Sequence, residues 1–344
     1  MKKTALPLPD SAPLPNPAAA ASTLPVGIST AELEHQLTGW LLDGDIRQHS
    51  FATLGNRRLV GDKLLWFLRK KGHATCGKQE LRQFFSYVTH GHEAQGGRWG
   101  NPALTGPVRP STVHTYHSCL RTFFRWLVAE EVIPASPMES ISPPTVRADQ
   151  VQPFTEGQVA LLLAAARRSR HPLRDHAVLL FLFDTGVRAS ELCSLRVSDL
   201  DMSAKRCQIM GKGSKRRTLY FGKTTAKALW NYLREDARDP ASAVFLSDRG
   251  TGAGEPLTRW GVRQIVERLG KAAKVENARC SAHTFRHTFA VTFLRSGGNL
   301  FSLQQLLGHT GLQMTRRYVA LAQGDIEAQH RLHSPVDGMR KGKP

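Results

Sequence analysis

The sequence has few cysteines, and their spacing excludes two classes of small protein: those stabilised by disulfides and those stabilised by a zinc site. Its 344 residues contain five, with no CxxC pair among them: Cys76, Cys119, Cys193, Cys207 and Cys280. Disulfide scaffolds and zinc sites both depend on closely spaced cysteines. A chain of this length, enough for about two domains, can bury a core without such staples. We therefore expect a protein of the reducing cytoplasm without a metal site.

Long hydrophobic runs are also missing. The longest apolar runs near the middle of the chain are Val159 to Ala166 and Ala177 to Phe183, far below the roughly 20 residues of a membrane span. Prolines and Asp10 interrupt the apolar residues at the amino terminus. We interpret residues 1–30 as a disordered, Pro/Ala-rich arm and expect no membrane association.

Acidic residues are scarce relative to basic ones. Lys and Arg number 47 against 28 Asp and Glu, a formal net charge of +19. Residues 150–344 carry +15 of it, and the stretch from Lys205 to Arg234 holds nine basic residues and no acidic one. Such an excess favours a nucleic-acid partner, with the second half of the chain as the main phosphate-contacting surface. No GxGxxG, Walker A or DxDxDG motif is present, so no cofactor is expected.

The periodicity predicts a mainly α fold with a small β-sheet. Helices are indicated at 62–71, at 78–87 and from Pro110, and again at 155–166, 177–185, 224–237, 258–274, 283–294 and 301–307. Residues 206–221 alternate around a glycine-rich turn, as a hairpin does. We expect a helical domain at 31–142, a linker at 143–153, a second domain at 154–335 and a basic tail at 336–344.

Several basic residues occur at positions where the predicted backbone is rigid: in a tight turn, at the tip of the hairpin and on one face of a helix. Arg188 lies in TGVRASEL, between one helix end and the next helix start, and Lys212 lies in the GKGSK turn of the hairpin. His283 and Arg286, three residues apart in HTFRH, share one helix face. Taken singly, each motif is more often an ordinary turn or a polar helix face.

In this order the motifs become specific. TGVRASEL, GKGSK, HTFRH, LGH with His309, and Tyr318 nine residues later together resemble the tyrosine recombinase/integrase family, in its Xer-like and phage-integrase branches. The resemblance covers residues 150–330. It implies a C-terminal catalytic domain, preceded by a helical core-binding (SAM-like) domain that matches only in length, helicity and position.

The resemblance implies roles for these residues. Tyr318 would be the nucleophile that attacks a DNA phosphodiester, and the pocket would be formed by Arg188, Lys212, His283, Arg286 and His309. Cationic donors would stabilise the charge on phosphorus in place of a metal. Lys212 would protonate the leaving oxygen, with Lys215 on the same hairpin as its rival. Glu191 would orient the Arg188 turn, His287 would be structural, and DNA would be contacted by Lys215, Arg216 and Arg217.

The implied function is site-specific recombination through a 3′-phosphotyrosine link, by a homo-tetramer on double-stranded DNA. Accessory DNA-bending or directionality proteins are conceivable partners, and the cytoplasmic nucleoid is the expected location. Two alternatives stay open. A type IB topoisomerase shares this chemistry but relaxes supercoils without exchanging partners, and a DNA-binding regulator could retain the pocket without using it.

Overall fold

In the computed structural model the chain divides into two compact units, Met1–Ala148 and Asp149–Pro344. The structure describes residues 27–92, 96–145, 152–211, 216–235, 238–248 and 254–309, and single positions beyond them at 311, 315, 318, 330, 334 and 336. Most of the predicted arm lies outside the described residues, but residues 27–30 at its end differ from the prediction. Ile28–Ser29 already form a strand and the first helix starts at Thr30, so residues 27–30 are not part of an arm.

The first unit is built from helices and one very short sheet. The helices are α1 (Thr30–Ile46), α2 (Phe51–Lys71), α3 (Lys78–Thr89) and α4 (Pro110–Ala129), and the strands are β1 (Ile28–Ser29) and β2 (Thr75–Cys76), which pair antiparallel. A 3₁₀ turn lies at Arg98–Gly100. Sequence periodicity found α3, α4 and the second half of α2. It missed α1 and the strand pair.

Aromatic side chains fill the core of this unit. Trp40 packs on Phe123, Phe67 packs edge-on to Phe84, and Phe123 lies beside Phe124. All five are almost completely buried, and large aromatic rings contribute much of the apolar area that stabilises a domain. The first unit thus has a core of its own.

The second unit is also mainly helical. Its helices are α5 (Glu156–Arg167), α6 (Pro172–Thr185), α7 (Ala189–Ser194), α8 (Lys223–Leu233), α9 (Arg259–Ala272), α10 (Ala282–Arg295) and α11 (Leu300–Leu307). A three-stranded antiparallel sheet has the order β3 (Leu200–Asp201), β4 (Arg206–Met210) and β5 (Arg216–Tyr220), and a 3₁₀ turn lies at Val197–Asp199. The predicted hairpin is therefore confirmed, with Met210 opposite Arg216, and a third short strand extends it. The mainly α fold class is confirmed as well.

Helix α6 lies at the centre of the second unit. It is apolar around most of its circumference, and Ala177 to Leu182 are buried, as expected for a helix covered on every side. Helices α5, α8 and α10 pack against it. Because the core surrounds α6, the position of its last residue is fixed by packing from several directions.

A buried charge network joins α6 to α9. The carboxylate of Asp175 is fully buried and contacts Arg174 at 2.9 Å and Arg268 at 2.6 Å. Arg174 also reaches Asp248 at 2.6 Å. Removing one partner of such a buried pair leaves an uncompensated charge, so the network specifies how α6 and α9 pack.

Within the part of the chain that the structure describes, no helix combines the length and the apolar character that crossing a membrane requires.

Candidate active site

A tight turn presents Arg188. Helix α6 ends at Gly186, whose φ of 60° lies in the left-handed region that glycine adopts at little cost. A Cβ at Gly186 would lie 2.4 Å from Cδ1 of Phe289, so the turn has no room for a side chain. Two residues later, Arg188 is the N-cap of α7, and its backbone N–H donates to Oε2 of Glu191 at 2.9 Å. Arg188 is thereby held between two helix ends.

The carboxylate of Glu191 binds two arginines. It accepts from Nη1 of Arg188 at 2.8 Å, and from Nη1 and Nη2 of Arg217 at 2.8 and 2.7 Å. Burial by itself raises the pKa of Glu191. Hydrogen bonds and positive charge from Arg217 and Arg188 outweigh burial and hold that pKa below its ordinary value. Glu191 is therefore an anion that fixes both guanidinium groups.

Arg217, which we expected to contact DNA, is directed into the protein instead. Its side chain is 12% exposed, and its Nε donates to the carbonyl of Leu306 at 2.9 Å. Alternate residues of a strand face opposite sides of the sheet, which puts Arg217 on the side of the buried Leu219. Arg216 is exposed, as a phosphate contact would require.

Helix α10 supplies a third arginine to the site. The helix is capped by Ser281, whose hydroxyl accepts from the backbone N–H of Thr284 at 3.1 Å. Arg286, one turn into the helix, is 4% exposed. It donates to the carbonyls of Gly186 at 2.8 Å and of Leu307 at 2.7 Å. This one side chain therefore joins the ends of α6 and α11 to α10.

The charge of Arg286 is buried but retained. Burial, together with the neighbouring charge of Arg188, lowers its pKa to about 10, while Tyr318 and Glu191 act in the opposite direction. A guanidinium with that pKa is still protonated near neutral pH. Three guanidinium groups (Arg188, Arg217, Arg286) thus lie around one carboxylate, and the excess of positive charge favours an anionic ligand.

His309 follows the left-handed Gly308 that ends α11. Its Nε2 lies 3.0 Å from Nη2 of Arg286, and its Nδ1 lies 2.9 Å from Oγ1 of Thr315. Arginine can only donate, so Nε2 accepts and Nδ1 carries the ring proton, which it donates to Thr315. The structure therefore places His309 in direct contact with Arg286, with one tautomer favoured.

Tyr318 completes the cluster from inside the protein. Its side chain is fully buried, and its ring lies 5.0 Å from that of His287 and 6.3 Å from that of His309, almost parallel to the latter at 11°. Apolar side chains of α10 and α11 surround it: Ala290, Val291, Leu303 and Leu307. The phenol is next to the cationic groups, but a DNA duplex could not reach it in this conformation.

The other residues singled out in the sequence have different placements. His283 is exposed on the first turn of α10, three residues before Arg286. His287, interpreted as structural, is 5% exposed and packs on Tyr318. Lys212 and Lys215 lie outside the described residues.

Two contacts of the site were missed in the sequence. Thr315, the partner of His309, carries no signal, because nothing in the sequence indicates which hydroxyl a histidine six residues earlier will bind. The inward direction of Arg217 did have a signal. Leu219, two residues later on the same strand, is apolar, and alternation places the two side chains on one face.

The arrangement is suited to a phosphate diester. Guanidinium groups match two oxygens of one phosphate, and a phenol and an imidazole lie beside them. Across the described part of the chain, His, Cys, Asp and Glu do not form a group of three or more that could hold a metal ion. Arg188 and Arg286 supply positive charge that can stabilise an anion here.

Comparison with known proteins agrees with this geometry. Residues 152–324 match the phage integrase family. Tyrosine recombinase XerC of Bacillus pumilus (strain SAFR-032) is 36% identical over 235 residues, which cover 65% of this chain and 75% of that protein. Tyrosine recombinase XerD of Chlorobaculum tepidum is 34% identical over 238 residues, 66% of this chain and 76% of that protein.

A solved structure shares the fold over most of both chains. The site-specific recombinase XerH bound to palindromic difH substrate superimposes with a TM-score of 0.62 and 18% identity, over 90% of this chain and 85% of that chain. At this identity the likeness concerns the fold, and the matched length includes both structural units of the present chain.

Proposed function

This chain belongs to the phage integrase family of tyrosine recombinases, and from that membership we propose that it is a site-specific DNA recombinase that cleaves and rejoins DNA through a 3′-phosphotyrosine intermediate. One observation supports the proposal most strongly. Arg286 and His309 are in contact at 3.0 Å, and the ring of Tyr318 lies against that of His309. A nucleophile and two phosphate-binding groups are thus neighbours.

The proposed reaction starts with attack of the Tyr318 oxygen on a DNA phosphorus. The new bond to phosphorus forms as the bond to the 5′ oxygen breaks, and negative charge develops on the nonbridging oxygens. Arg188 and Arg286 stabilise this charge, and they are already oriented, so little reorganisation is needed during the reaction. The phosphotyrosine conserves the bond energy for rejoining, and for this reason we expect neither ATP nor a metal cofactor to be required.

Two proton transfers accompany the attack. Lys212 donates a proton to the departing 5′ oxygen, and Lys215 is the alternative donor, because both belong to the segment that joins β4 to β5. His283 assists removal of the proton from Tyr318. Its exposed position at the start of α10 is suited to a group that meets DNA.

His309 must change partners to serve as a donor. In the structure its Nε2 accepts from Arg286, whereas a hydrogen bond to a nonbridging oxygen requires a proton on Nε2. We propose that bound phosphate replaces His309 as the acceptor of the Arg286 hydrogen bond. The His309 ring then carries its proton on Nε2. DNA binding would in this way activate the pair.

Tyr318 must also leave its buried position. Its ring is enclosed by His287, His309 and the apolar side chains of α10 and α11. We propose that DNA binding displaces the segment containing Tyr318 toward the arginines. A nucleophile that is withdrawn without DNA cannot react with other phosphate esters.

The partners follow from charge and family. We propose that residues 31–142 and 154–335 both bind double-stranded DNA, joined by the linker 143–153, and that the product forms in a homo-tetramer holding two sites, in the cytoplasm at the nucleoid. Accessory proteins could set direction. The curated relatives are tyrosine recombinases, and the XerH structure holds its difH substrate. Most affinity should come from phosphates and fall steeply with salt.

Covalent capture tests the proposal. Wild type and Tyr318→Phe are expressed in bacteria, denaturant-resistant protein–DNA complexes are isolated, and the attached DNA ends are sequenced. We expect adducts at one short inverted repeat with wild type and none with Tyr318→Phe, because only the phenol can form the ester. Adducts scattered over the genome would favour a topoisomerase. Absence of adducts with wild type would contradict the proposal and favour a DNA-binding regulator.

A further inference from the structure

Both ring nitrogens of His309 have polar neighbours inside the candidate site. Nε2 lies 3.0 Å from Nη2 of Arg286, and Nδ1 lies 2.9 Å from Oγ1 of Thr315. His309 is 9% exposed and Thr315 is completely buried. Because arginine cannot accept, the proton on Nδ1 points at the threonine oxygen. Thr315 therefore helps to determine how the ring of His309 is oriented.

The backbone of His309 is held separately from its ring. Its N–H donates to the carbonyl of Gln304 at 3.1 Å, and its carbonyl accepts from the Gln304 side chain at 3.2 Å. Rotation of the ring is then restricted by what its two nitrogens bind. When bound phosphate replaces His309 as the acceptor of the Arg286 hydrogen bond, the contact with Thr315 remains.

The change of partner proposed for His309 alters what Thr315 has to do. Before DNA binds, Nδ1 carries the ring proton and the Thr315 oxygen accepts it. When Nε2 donates to a nonbridging oxygen, the neutral ring has its proton there, and Nδ1 becomes an acceptor. The ring releases one proton to water and takes one from water, so its charge is the same in both states. A hydroxyl can accept in the first state and donate in the second.

Thr315 also lies close in sequence to the proposed nucleophile. Thr315 and Tyr318 both have helical backbone and are three residues apart, a spacing that directs two side chains toward one face of a helix. The ring of Tyr318 lies almost parallel to that of His309. The hydrogen bond between His309 and Thr315 therefore joins a phosphate-binding group to the segment that contains the nucleophile.

We propose that Thr315 is a positioning residue of the cleavage reaction: its hydroxyl holds Nδ1 of His309 in both proton states, so that Nε2 faces Arg286 before DNA binds and a nonbridging oxygen of the scissile phosphate afterwards. The proposal rests on the function proposed above, because it assumes that His309 donates to the phosphate. In this role Thr315 touches neither the phosphate nor the leaving oxygen and acts through His309.

Thr315→Val tests the role of the hydroxyl, because valine keeps the shape of the side chain. Full-length protein is mixed with a nicked duplex of the sequence recovered by adduct capture, and adduct formation is followed in a single turnover. At saturating DNA we expect Thr315→Val to be slower than wild type by about tenfold to a hundredfold, because Nδ1 loses its hydrogen bond to Thr315. DNA affinity should stay within about threefold of wild type, since phosphate contacts supply most of it. Thr315→Ser keeps the hydroxyl and should restore most of the rate.

A double-mutant cycle tests whether Thr315 acts through His309. In His309→Ala there is no ring for the hydroxyl to hold, so adding Thr315→Val should change the rate by less than about twofold. A general structural defect would slow both backgrounds by the same factor. Thr225→Val is the matched control, because Thr225 is also buried and its hydroxyl donates to Asp184 at 2.6 Å. It should form adduct at the wild-type rate.

Thr315→Ala takes the place of Thr315→Val if the valine variant does not fold, and it differs from Thr315→Ser only in the hydroxyl. Equal rates of the variants with and without a hydroxyl would overturn the positioning role. Equal slowing by Thr315→Val in both backgrounds would overturn it as well. Failure of the proposed function would look different, because wild-type protein would then form no adduct, and the positioning role would fall with it.

Discussion

At the scale of single residues, the site is organised by one buried anion. Glu191 accepts a backbone N–H and three guanidinium hydrogen bonds, so every side of its carboxylate is engaged. Two arginines that would otherwise repel each other are held in place, and Arg286 adds a third positive charge nearby. The carboxylate thereby lets the protein concentrate positive charge without losing stability.

Replacing Glu191 by Gln should therefore destabilise the protein. We expect the free energy of unfolding at pH 7 to fall by about 2–4 kcal/mol, because two partly buried arginines lose their counter-charge. Urea unfolding measures this. Glu267→Gln removes an exposed partner instead and should change the free energy of unfolding by less than about 1 kcal/mol.

The same variant has a predictable pH dependence. The pKa of Glu191 is depressed in the folded protein, so its stabilising effect is complete above the ordinary value of 4.5 and is lost as the pH falls from there through the lower folded value. The stability difference between wild type and Glu191→Gln should shrink in that acidic range. A difference that stayed constant from about pH 7 to pH 3 would show that the charge of Glu191 is not responsible.

At the scale of elements, the site consists of helix ends. The residues that follow α6 and α11 are left-handed glycines, Gly186 and Gly308, and Arg286 of α10 binds carbonyl groups at both ends. Helix ends have carbonyls without partners inside the helix. Here a buried arginine satisfies them, which couples formation of the site to the packing of three helices.

Gly186→Ala should damage this arrangement. The left-handed backbone costs about 1–2 kcal/mol for alanine, and the clash with Phe289 should raise the loss to about 2–4 kcal/mol in total. Gly297→Ala is the matched control, since Gly297 has a φ of +85° but open space around a Cβ. Thermal unfolding of both variants separates the two effects, and equal losses would argue against close packing at Gly186.

The cap of α10 should make a smaller contribution. Ser281→Ala removes the hydroxyl that accepts from Thr284 and should lower stability by about 1 kcal/mol. Ser302→Ala, at an exposed position within α11, should stay within about 0.5 kcal/mol of wild type. If the two variants unfolded at the same denaturant concentration, the cap would not stabilise α10.

At the scale of the whole molecule, the order of the helices and strands could be predicted from the sequence more fully than the contacts between them. Periodicity located most helices of the second unit and the hairpin, because their apolar residues recur at regular spacing. It missed α1, although Leu33, Leu37 and Trp40 recur at helical spacing on its buried face, and it missed the pair β1–β2, which is too short to show alternation. Residue spacing does not reveal tertiary packing. It therefore could not predict the hydrogen bond between His309 and Thr315 or the burial of Tyr318.

Removal of divalent metal tests the proposed mechanism at this scale. Charge stabilisation is assigned to arginines, so cleavage of duplex DNA by purified protein should proceed at an unchanged rate in excess EDTA. A recombinase that used Mg²⁺ in place of these groups would stop under the same conditions. If EDTA stopped cleavage and added Mg²⁺ restored it, charge stabilisation by the arginines alone would be contradicted.

Covalent attachment of Tyr318 to DNA is tested most directly by mapping the residue that carries the DNA. Purified protein is trapped on a nicked duplex of the recovered target sequence, the adduct is digested with protease and nuclease, and the nucleotide-bearing peptide is identified by mass spectrometry. We expect the mass of a 3′-phosphate ester on the peptide containing Tyr318. The same modification on any other side chain would contradict it.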